Sequence, residues 1–325
     1  MLRPLPLTLG IAAAIALAGC SVISLDLTPR LQPLEEQTVE GEGDAKILLV
    51  DLSGVLTDEA VAPTLSVGAA PPRVPLLVRL REELKKGAED PKVRALVVRI
   101  NSPGGTVTAS DIIFRELELF KRSAKIPVVA VMMDVAASGG YYVALAADTI
   151  VAHPTTVTGS IGTIMVSLNA EGLLEKIGVS ALTIKSGERK DMGSPFRTLT
   201  PEERAIFQSV IDELHGQFVA KLAERRQLTP EAVRALADGR IYTAQQALAH
   251  HLIDAIGYVS DGLAAARRAA GVDEARVVVY RRPREYRATY YARAETSGTA
   301  IEAALAQWAA LAGAGGPRFL YLWWP

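Results

Sequence analysis

The feature that most constrains the fold is a series of short apolar runs separated by longer segments with helical spacing. The runs are rich in Val, Ile and Leu and begin at residues 47, 93, 126 and 181. The segments between them include Val74 to Lys86 and Asp111 to Arg122. Strands that are apolar throughout need cover on both faces, so the pattern predicts an α/β fold with a largely parallel sheet.

The later part of the chain is predicted to be more helical. Thr200 is a candidate N-cap, Pro201 suits the first helical position, and Glu203 completes a capping box. This signature predicts a helix that ends near Arg226. Thr229 begins a second helix in the same way.

Composition excludes several classes of function. The chain has 35 Lys and Arg against 36 Asp and Glu, a formal net charge of -1, so nucleic acid is not expected as a partner. Four histidines and a single cysteine are too few for a zinc cluster or a disulfide framework. We therefore expect neither a metal nor another cofactor.

The first residues are typical of a bacterial lipoprotein. Residues 1–19 read as a secretory leader, and the stretch from Leu17 to Cys20 resembles a lipobox, in which Cys20 is lipidated and becomes the new N-terminus. An uncleaved single-span anchor is the alternative. We expect the chain to be held on a lipid membrane through Cys20, with its body outside the cytoplasm, on the periplasmic or cell-surface side. Residues 20–45 are predicted to form a flexible tether that reaches about 25 to 30 Å.

Two glycine-rich turns carry the chemical signal. One runs from Asn101 to Gly105 and the other from Asp134 to Tyr142, each directly after a predicted strand. In open α/β sheets, sites form at the carboxyl ends of strands, so the two turns are expected to face each other. Ser138 lies at the entrance of a predicted short helix, where unpaired backbone amides favour developing negative charge. A serine nucleophile with two amide donors for an oxyanion is the predicted result.

A serine nucleophile needs a base, and the four histidines are poorly placed to supply one. His153 lies in a turn, whereas His215, His250 and His251 lie on predicted helices among polar neighbours. Lysine can replace histidine when burial disfavours its charged form, and Ser-Lys dyads are known. Lys190 follows the predicted strand at 181, as a site residue should.

Four motifs occur in an order that resembles a known family. NSPGG, ASGGYYVA, TGSIG at 158–162 and KSGERKDMGSP are similar to the successive motifs of signal peptide peptidase A, the S49 family of Ser-Lys peptidases. The similarity extends from about residue 46 to about residue 270. It implies a crotonase-like, Clp-type fold with Ser138 as nucleophile and Lys190 as general base. It also implies that Ser160 hydrogen-bonds the lysine, and that the oxyanion hole consists of Gly105 and the Ser138 amide.

The resemblance also implies a substrate class and an assembly. The substrates would be extended apolar peptides such as signal-peptide remnants, cleaved by a membrane-anchored serine endopeptidase. Short family members have one catalytic copy, so we expect a homo-oligomeric ring, with an octamer favoured, in which Lys190 completes the Ser138 site of a neighbour. The peptidase domain is expected at 46–283.

The remaining segment, 284–325, is predicted to be an extension that ends in an aromatic tail. An apolar tail of this kind needs cover from water. It could pack on a neighbouring subunit, lie in a peptide groove or touch the membrane.

Three other interpretations remain open at this point. A crotonase-type enzyme would act on acyl thioesters, although a secreted lipoprotein would not meet coenzyme A. A Ser-His-Asp site would have to use His153. A catalytically inactive lipoprotein scaffold would keep the fold without the activity.

Overall fold

The structure is a computed structural model that describes residues 32–58, 74–283, 285, 288–292 and 318–323. The predicted leader, Cys20 and most of the C-terminal extension lie outside the described residues. Among the helices that are described, none is both long and apolar enough to cross a membrane.

The main sheet is mostly parallel. Its strands are β1 (Glu35–Glu40), β2 (Lys46–Ser53), β3 (Val93–Ser102), β5 (Val128–Ala137), β6 (Thr149–Ala152), β7 (Val157–Gly159), β9 (Ile241–Thr243), β10 (Ala255–Ile256) and β11 (Arg276–Arg281). From one edge they run in the order β1, β11, β2, β3, β5, β6 and β10, and β7 pairs with the end of β5 and with β9. Only the β1–β11 and β7–β9 pairs are antiparallel.

Eight helices are described. They are α1 (Leu76–Glu89), α2 (Val107–Ala124), α3 (Gly139–Ala144), α4 (Glu171–Lys176), α5 (Pro201–Arg226), α6 (Pro230–Leu236), α7 (Ala244–Ala249) and α8 (Val259–Ala270). The α5 helix begins as predicted, with Thr200 and Glu203 forming a capping box and Pro201 in the first turn. Thr229 caps α6 by accepting a hydrogen bond from the Ala232 amide.

The central strands are mostly apolar because both faces of the sheet are covered. Alternate residues of β2 enter different cores: Leu48 and Val50 pack on the side of α1 and α2, whereas Ile47 and Leu49 pack on the side of α8. The prediction of an α/β fold with a largely parallel sheet is therefore confirmed.

A second, smaller sheet lies at the carboxyl end of β3. It consists of β4 (Gly104–Thr106), β8 (Ile164–Val166) and, between them, β12 (Arg318–Leu322), which is antiparallel to both. One strand of the C-terminal extension is thus paired with the first glycine turn, although more than 200 residues separate them in sequence.

Two local predictions are wrong. The tether predicted at 20–45 already contains β1, which pairs with β11 and is further held where Lys46 donates to the Glu36 carboxylate at 2.8 Å. Backbone pairing and an ion pair order a segment that has little apolar content. The strand predicted at 181 does not form, and Leu182 and Ile184 are 89% and 94% exposed. This apolar run has no strand partner and no core to enter within the described chain.

Candidate active site

Ser138 lies in the sharp turn between β5 and α3. Its backbone has φ 52° and ψ -116°, in the left-handed half of conformational space, which costs a non-glycine residue about 1 to 3 kcal/mol. The turn is held where the Ser138 amide donates to the Gly159 carbonyl at 2.7 Å and the Tyr142 amide donates to the Ser138 carbonyl at 2.8 Å. The Ser138 side chain is buried, and its Oγ has no hydrogen-bond partner. The strained turn therefore holds a hydroxyl that makes no hydrogen bond within the described chain.

Glycines bring the two predicted turns into direct contact. A Cβ on Gly139 would lie 2.3 Å from Ser110 Oγ and 3.1 Å from Gly104 Cα, and a Cβ on Gly140 would lie 2.6 Å from the Ser102 carbonyl oxygen. Such distances leave no room for a side chain. The prediction that the two turns face each other is thus confirmed.

A carbonyl oxygen of β12 occupies the space between these turns. A Cβ on Gly104 would lie 1.9 Å from the Tyr321 carbonyl oxygen and 2.7 Å from the Gly139 amide nitrogen, so both atoms border the same point. Tyr321 is opposite Gly105, and the Trp323 amide donates to the Pro103 carbonyl at 2.8 Å. The alternation of antiparallel pairing then makes Tyr321 and Gly105 a hydrogen-bonded pair, in which the Gly105 amide donates to the Tyr321 carbonyl.

The geometry changes one of the two expected oxyanion donors. The Ser138 amide, which was expected to be a donor, already donates to Gly159 across the β5–β7 pair. The Gly139 amide takes its place, because it borders the occupied point and the first amides of a helix have no acceptor within the helix. The Gly105 amide remains the other donor, as the resemblance implied. The donor pair supported by the structure is therefore Gly105 and Gly139.

Ser160 lies beside Ser138 at the same edge of the sheet. Gly159 is paired with Ala137 at the ends of β7 and β5, and Ser160 and Ser138 follow directly. Ser160 is 7% exposed, has φ 50° and donates its amide to the Arg240 carbonyl at 2.7 Å. The structure thus places a second serine next to the candidate nucleophile, while its predicted contact with a lysine stays a prediction.

Lys190 lies in an exposed turn between α4 and α5. No hydrogen bond joins it to Ser138 Oγ. The turn is held by the neighbouring Asp191, whose carboxylate accepts hydrogen bonds from Lys185 at 2.7 Å and from Arg197 at 2.8 and 3.0 Å. The hydrogen bonds from Arg197, and then from Lys185, hold the pKa of Asp191 well below its usual range. Within one chain, the structure fixes the Lys190 turn but does not pair Lys190 with the serine.

The segment that contains Lys190 is also unusually apolar for an exposed surface. Every residue from 175 to 190 is exposed. The large apolar side chains that it and its flanks present to solvent are Leu168, Leu173, Ile177, Val179, Leu182, Ile184 and Phe196. An exposed cluster of this kind is typical of an interface.

None of the four histidines hydrogen-bonds Ser138, since Ser138 Oγ has no hydrogen-bond partner. His153 contacts Thr155 Oγ1 through Nδ1 at 2.8 Å and packs edge-on against Tyr258. The structure therefore offers no support for the Ser-His-Asp interpretation.

Sequence reasoning missed Gly139 as a donor and Tyr321 as a neighbour of the site. The Gly139 amide could have been found, since it belongs to the residue directly after the candidate nucleophile. The pairing of Tyr321 with Gly105 could not, because apolar residues in the tail indicate a strand but not which strand it will join.

Comparisons with known proteins agree with the motifs. The family model described as peptidase family S49 matches residues 120–273. The protein named "Putative protease slr0021" from Synechocystis sp. is 47% identical over 192 residues, which are 59% of this chain and 69% of that protein. "Putative signal peptide peptidase SppA" from Enterococcus faecium is 36% identical over 247 residues, 76% of this chain and 70% of that protein. Among solved structures, a ClpP1 mutant from Listeria monocytogenes matches 66% of this chain and 94% of its own, with a TM-score of 0.42 and 18% identity.

Proposed function

The chain belongs to peptidase family S49, and on that premise we propose that this protease cleaves peptide bonds with Ser138 as nucleophile and Lys190 as general base. The observation that carries the proposal is the unpartnered, buried Ser138 Oγ beside a point that the Gly105 and Gly139 amides border. A carbonyl oxygen already occupies that point. The site therefore has the shape that an acyl-transfer reaction needs.

In the proposed reaction, neutral Lys190 takes the proton of Ser138 as Oγ attacks the carbonyl carbon of the substrate. The oxyanion that forms lies between the Gly105 and Gly139 amides, and removing one such donor typically costs about 100- to 1,000-fold in kcat. The C–N bond then breaks, and Lys190 passes its proton to the leaving amine. Water, deprotonated by Lys190, attacks the carbonyl carbon of the acyl-enzyme. The bond from that carbon to Ser138 Oγ then breaks, the new carboxyl end is released, and Lys190 returns the proton to Oγ.

We place Lys190 in the site of a neighbouring subunit. The exposed Lys190 turn and the apolar side chains around it support an assembly in which one subunit covers this segment of the next. A heterologous contact generates a ring when the rotation between neighbours closes, and the family resemblance favours an octameric ring. Ser160 would hydrogen-bond the incoming lysine.

We also propose where the enzyme works and on what. Lipid on Cys20 would hold it on the membrane with the catalytic body outside the cytoplasm. Extended apolar peptides such as signal-peptide remnants would be its substrates, because strand pairing recognises a backbone without demanding one sequence. Labelling with a fatty-acid analogue tests the attachment: Cys20→Ala should lose the label and leave the membrane fraction, and retention of the label would contradict it.

Complementation between two inactive variants tests the dyad and its position across subunits. Ser138→Ala and Lys190→Ala should each abolish casein cleavage, whereas mixed rings of the two should recover part of it. Lys85→Ala, which changes an exposed lysine on α1 outside the proposed interface, is the matched control and should keep full activity. Near-normal turnover by Lys190→Ala would refute the dyad. Mixed rings, verified by mass spectrometry, that show no recovery would instead place both residues in one chain.

A further inference from the structure

The C-terminal strand β12 lies where an extended peptide would bind. It is inserted between β4, which carries Gly105, and β8, and it is antiparallel to both. Adding a strand between two strands satisfies the backbone hydrogen bonds of a guest peptide on both sides. The chain thus displays one of its own segments in the geometry of a bound peptide.

The register of β12 identifies which of its residues faces the nucleophile. The Tyr321 carbonyl oxygen occupies the point bordered by the Gly139 amide and paired with Gly105, where the proposed reaction develops an oxyanion. A carbonyl in that position belongs to the residue on the acyl side of the bond to be cut. By this register, the side chain of Tyr321 occupies the pocket for the residue that precedes the cleaved bond.

That side chain fills an enclosed aromatic pocket. Tyr321 is 1% exposed, and its ring centroid is 4.8 Å from that of Phe218 and 5.4 Å from that of Tyr142. Its hydroxyl donates to the Leu214 carbonyl in α5 at 2.7 Å. Burial raises the pKa of the Tyr321 phenol, so the hydroxyl keeps the proton that it donates. The pocket therefore matches the length of a tyrosine, with a polar acceptor at its far end.

We infer that this pocket is the primary specificity site of the peptidase and takes an aromatic residue, tyrosine before phenylalanine, immediately before the cleaved bond. The inference rests on the proposed function for the identity of that bond. Phenylalanine would fill the same aromatic walls but leave the Leu214 carbonyl without the phenol donor. An alanine side chain would be too short to contact the aromatic walls of the pocket. Tyr321 of the chain itself competes for the pocket until β12 moves away.

Peptides that differ at one position test the preference. The set is Arg-Phe-Leu-Xaa-Leu-Trp, the order of residues in and after β12, with Tyr, Phe, Leu or Ala at Xaa. The enzyme is the full-length Tyr321→Ala variant, in which the internal competitor is weakened. We expect kcat/KM to be about fivefold higher for Tyr than for Phe, the worth of one hydrogen bond, and about 50-fold higher for Phe than for Ala. Mass spectrometry of the products should show cleavage directly after Xaa.

A binding series separates the pocket from the chemistry. The double variant Ser138→Ala, Tyr321→Ala cannot form an acyl-enzyme, and fluorescence anisotropy with labelled peptides should still rank Tyr, Phe and Ala in that order. Equal binding of the Tyr and Ala peptides would overturn the inference whether or not the enzyme is active. Ordered binding without any hydrolysis by the Tyr321→Ala chain would keep the pocket and contradict the proposed function.

Reshaping the pocket provides the matched control. Phe218→Leu should lower the ratio of kcat/KM for Tyr over Ala by about tenfold, because one aromatic wall is lost. Phe120→Leu changes an equally buried phenylalanine that packs against Gly87 and should leave that ratio unchanged. Because both variants remove a core ring, a ratio that falls equally in both would show a general loss of packing and overturn the assignment of Phe218.

Discussion

Replacing Gly104 with alanine tests the geometry of the oxyanion site at one atom. The new Cβ would lie 1.9 Å from the oxygen that occupies the site and 2.7 Å from the Gly139 amide nitrogen. Moving β12 away removes the first clash but not the second. Gly104→Ala therefore places a methyl group where the developing oxyanion has to lie, and it does so whether or not the tail is in place.

Two magnitudes follow from the structure. Gly104 has φ 101°, a conformation that should cost alanine about 1 to 3 kcal/mol in the free energy of unfolding. Obstruction of the oxyanion donors should lower kcat by at least about 100-fold, the typical loss for a single donor. The larger effect is thus expected on catalysis, with a folded protein remaining.

Casein or peptide hydrolysis, together with urea unfolding, separates the two effects. Gly216→Ala is the matched control: Gly216 lies inside α5, nothing lies within 4 Å of its added Cβ, and its φ is not positive. This control should keep full activity and gain about 0.5 to 1 kcal/mol of stability, since alanine favours helix interiors over glycine. If folded Gly104→Ala keeps more than about a tenth of kcat, the donors lie elsewhere and the oxyanion site described here is wrong.

Four further predictions concern the Lys190 turn and the proposed assembly. The rate of peptide cleavage should rise with pH, because a lysine base acts only when neutral, and an acidic optimum would contradict this role. Asp191→Asn should lower kcat with little change in Tm, measured side by side, because it loosens the turn that holds Lys190. The ion pairs of Asp191 stabilise the turn fully above about pH 4, the usual pKa of an aspartate. Because the pKa of Asp191 is lowered, these pairs are lost only when the pH falls further, through the lowered pKa. Limited proteolysis at 187–194 should therefore increase only in strong acid. Ile184→Asp should shift the protein toward monomers in analytical ultracentrifugation, whereas unchanged assembly would exclude this surface as the interface.

The sequence predicted the central sheet well because its information there is local and redundant. Strands β2, β3 and β5 are largely buried on both faces, and this burial leaves apolar runs that are visible in the sequence. The start of α5 was equally clear, since Thr200 and Glu203 satisfy each other's backbone amides through contacts three residues apart. The same reasoning failed at 181–187, where an apolar run without a partner in the chain forms no strand.

The candidate site was only partly predictable, for a related reason. The residue types could be found from the two glycine turns, because a strand that ends in glycines before a serine is a local pattern. The identity of the donors could not, since it depends on whether the Ser138 amide is already bound, and its acceptor is Gly159, which lies 21 residues away on another strand. The carbonyl group that occupies the oxyanion site was still harder to predict, because β12 pairs with β4 from the far end of the chain.

The state of Ser138 favours a base that comes from outside the described chain. A buried hydroxyl without a partner costs about 1 to 3 kcal/mol, and the positive φ of Ser138 adds a similar amount. If the serine were only structural, replacement by glycine would remove both costs. The backbone amide and carbonyl of Ser138 are both hydrogen-bonded within the described chain. Ser138 Oγ lacks a proton acceptor among these residues. A second copy of the chain would supply that acceptor, Lys190, through the exposed, apolar segment that surrounds it.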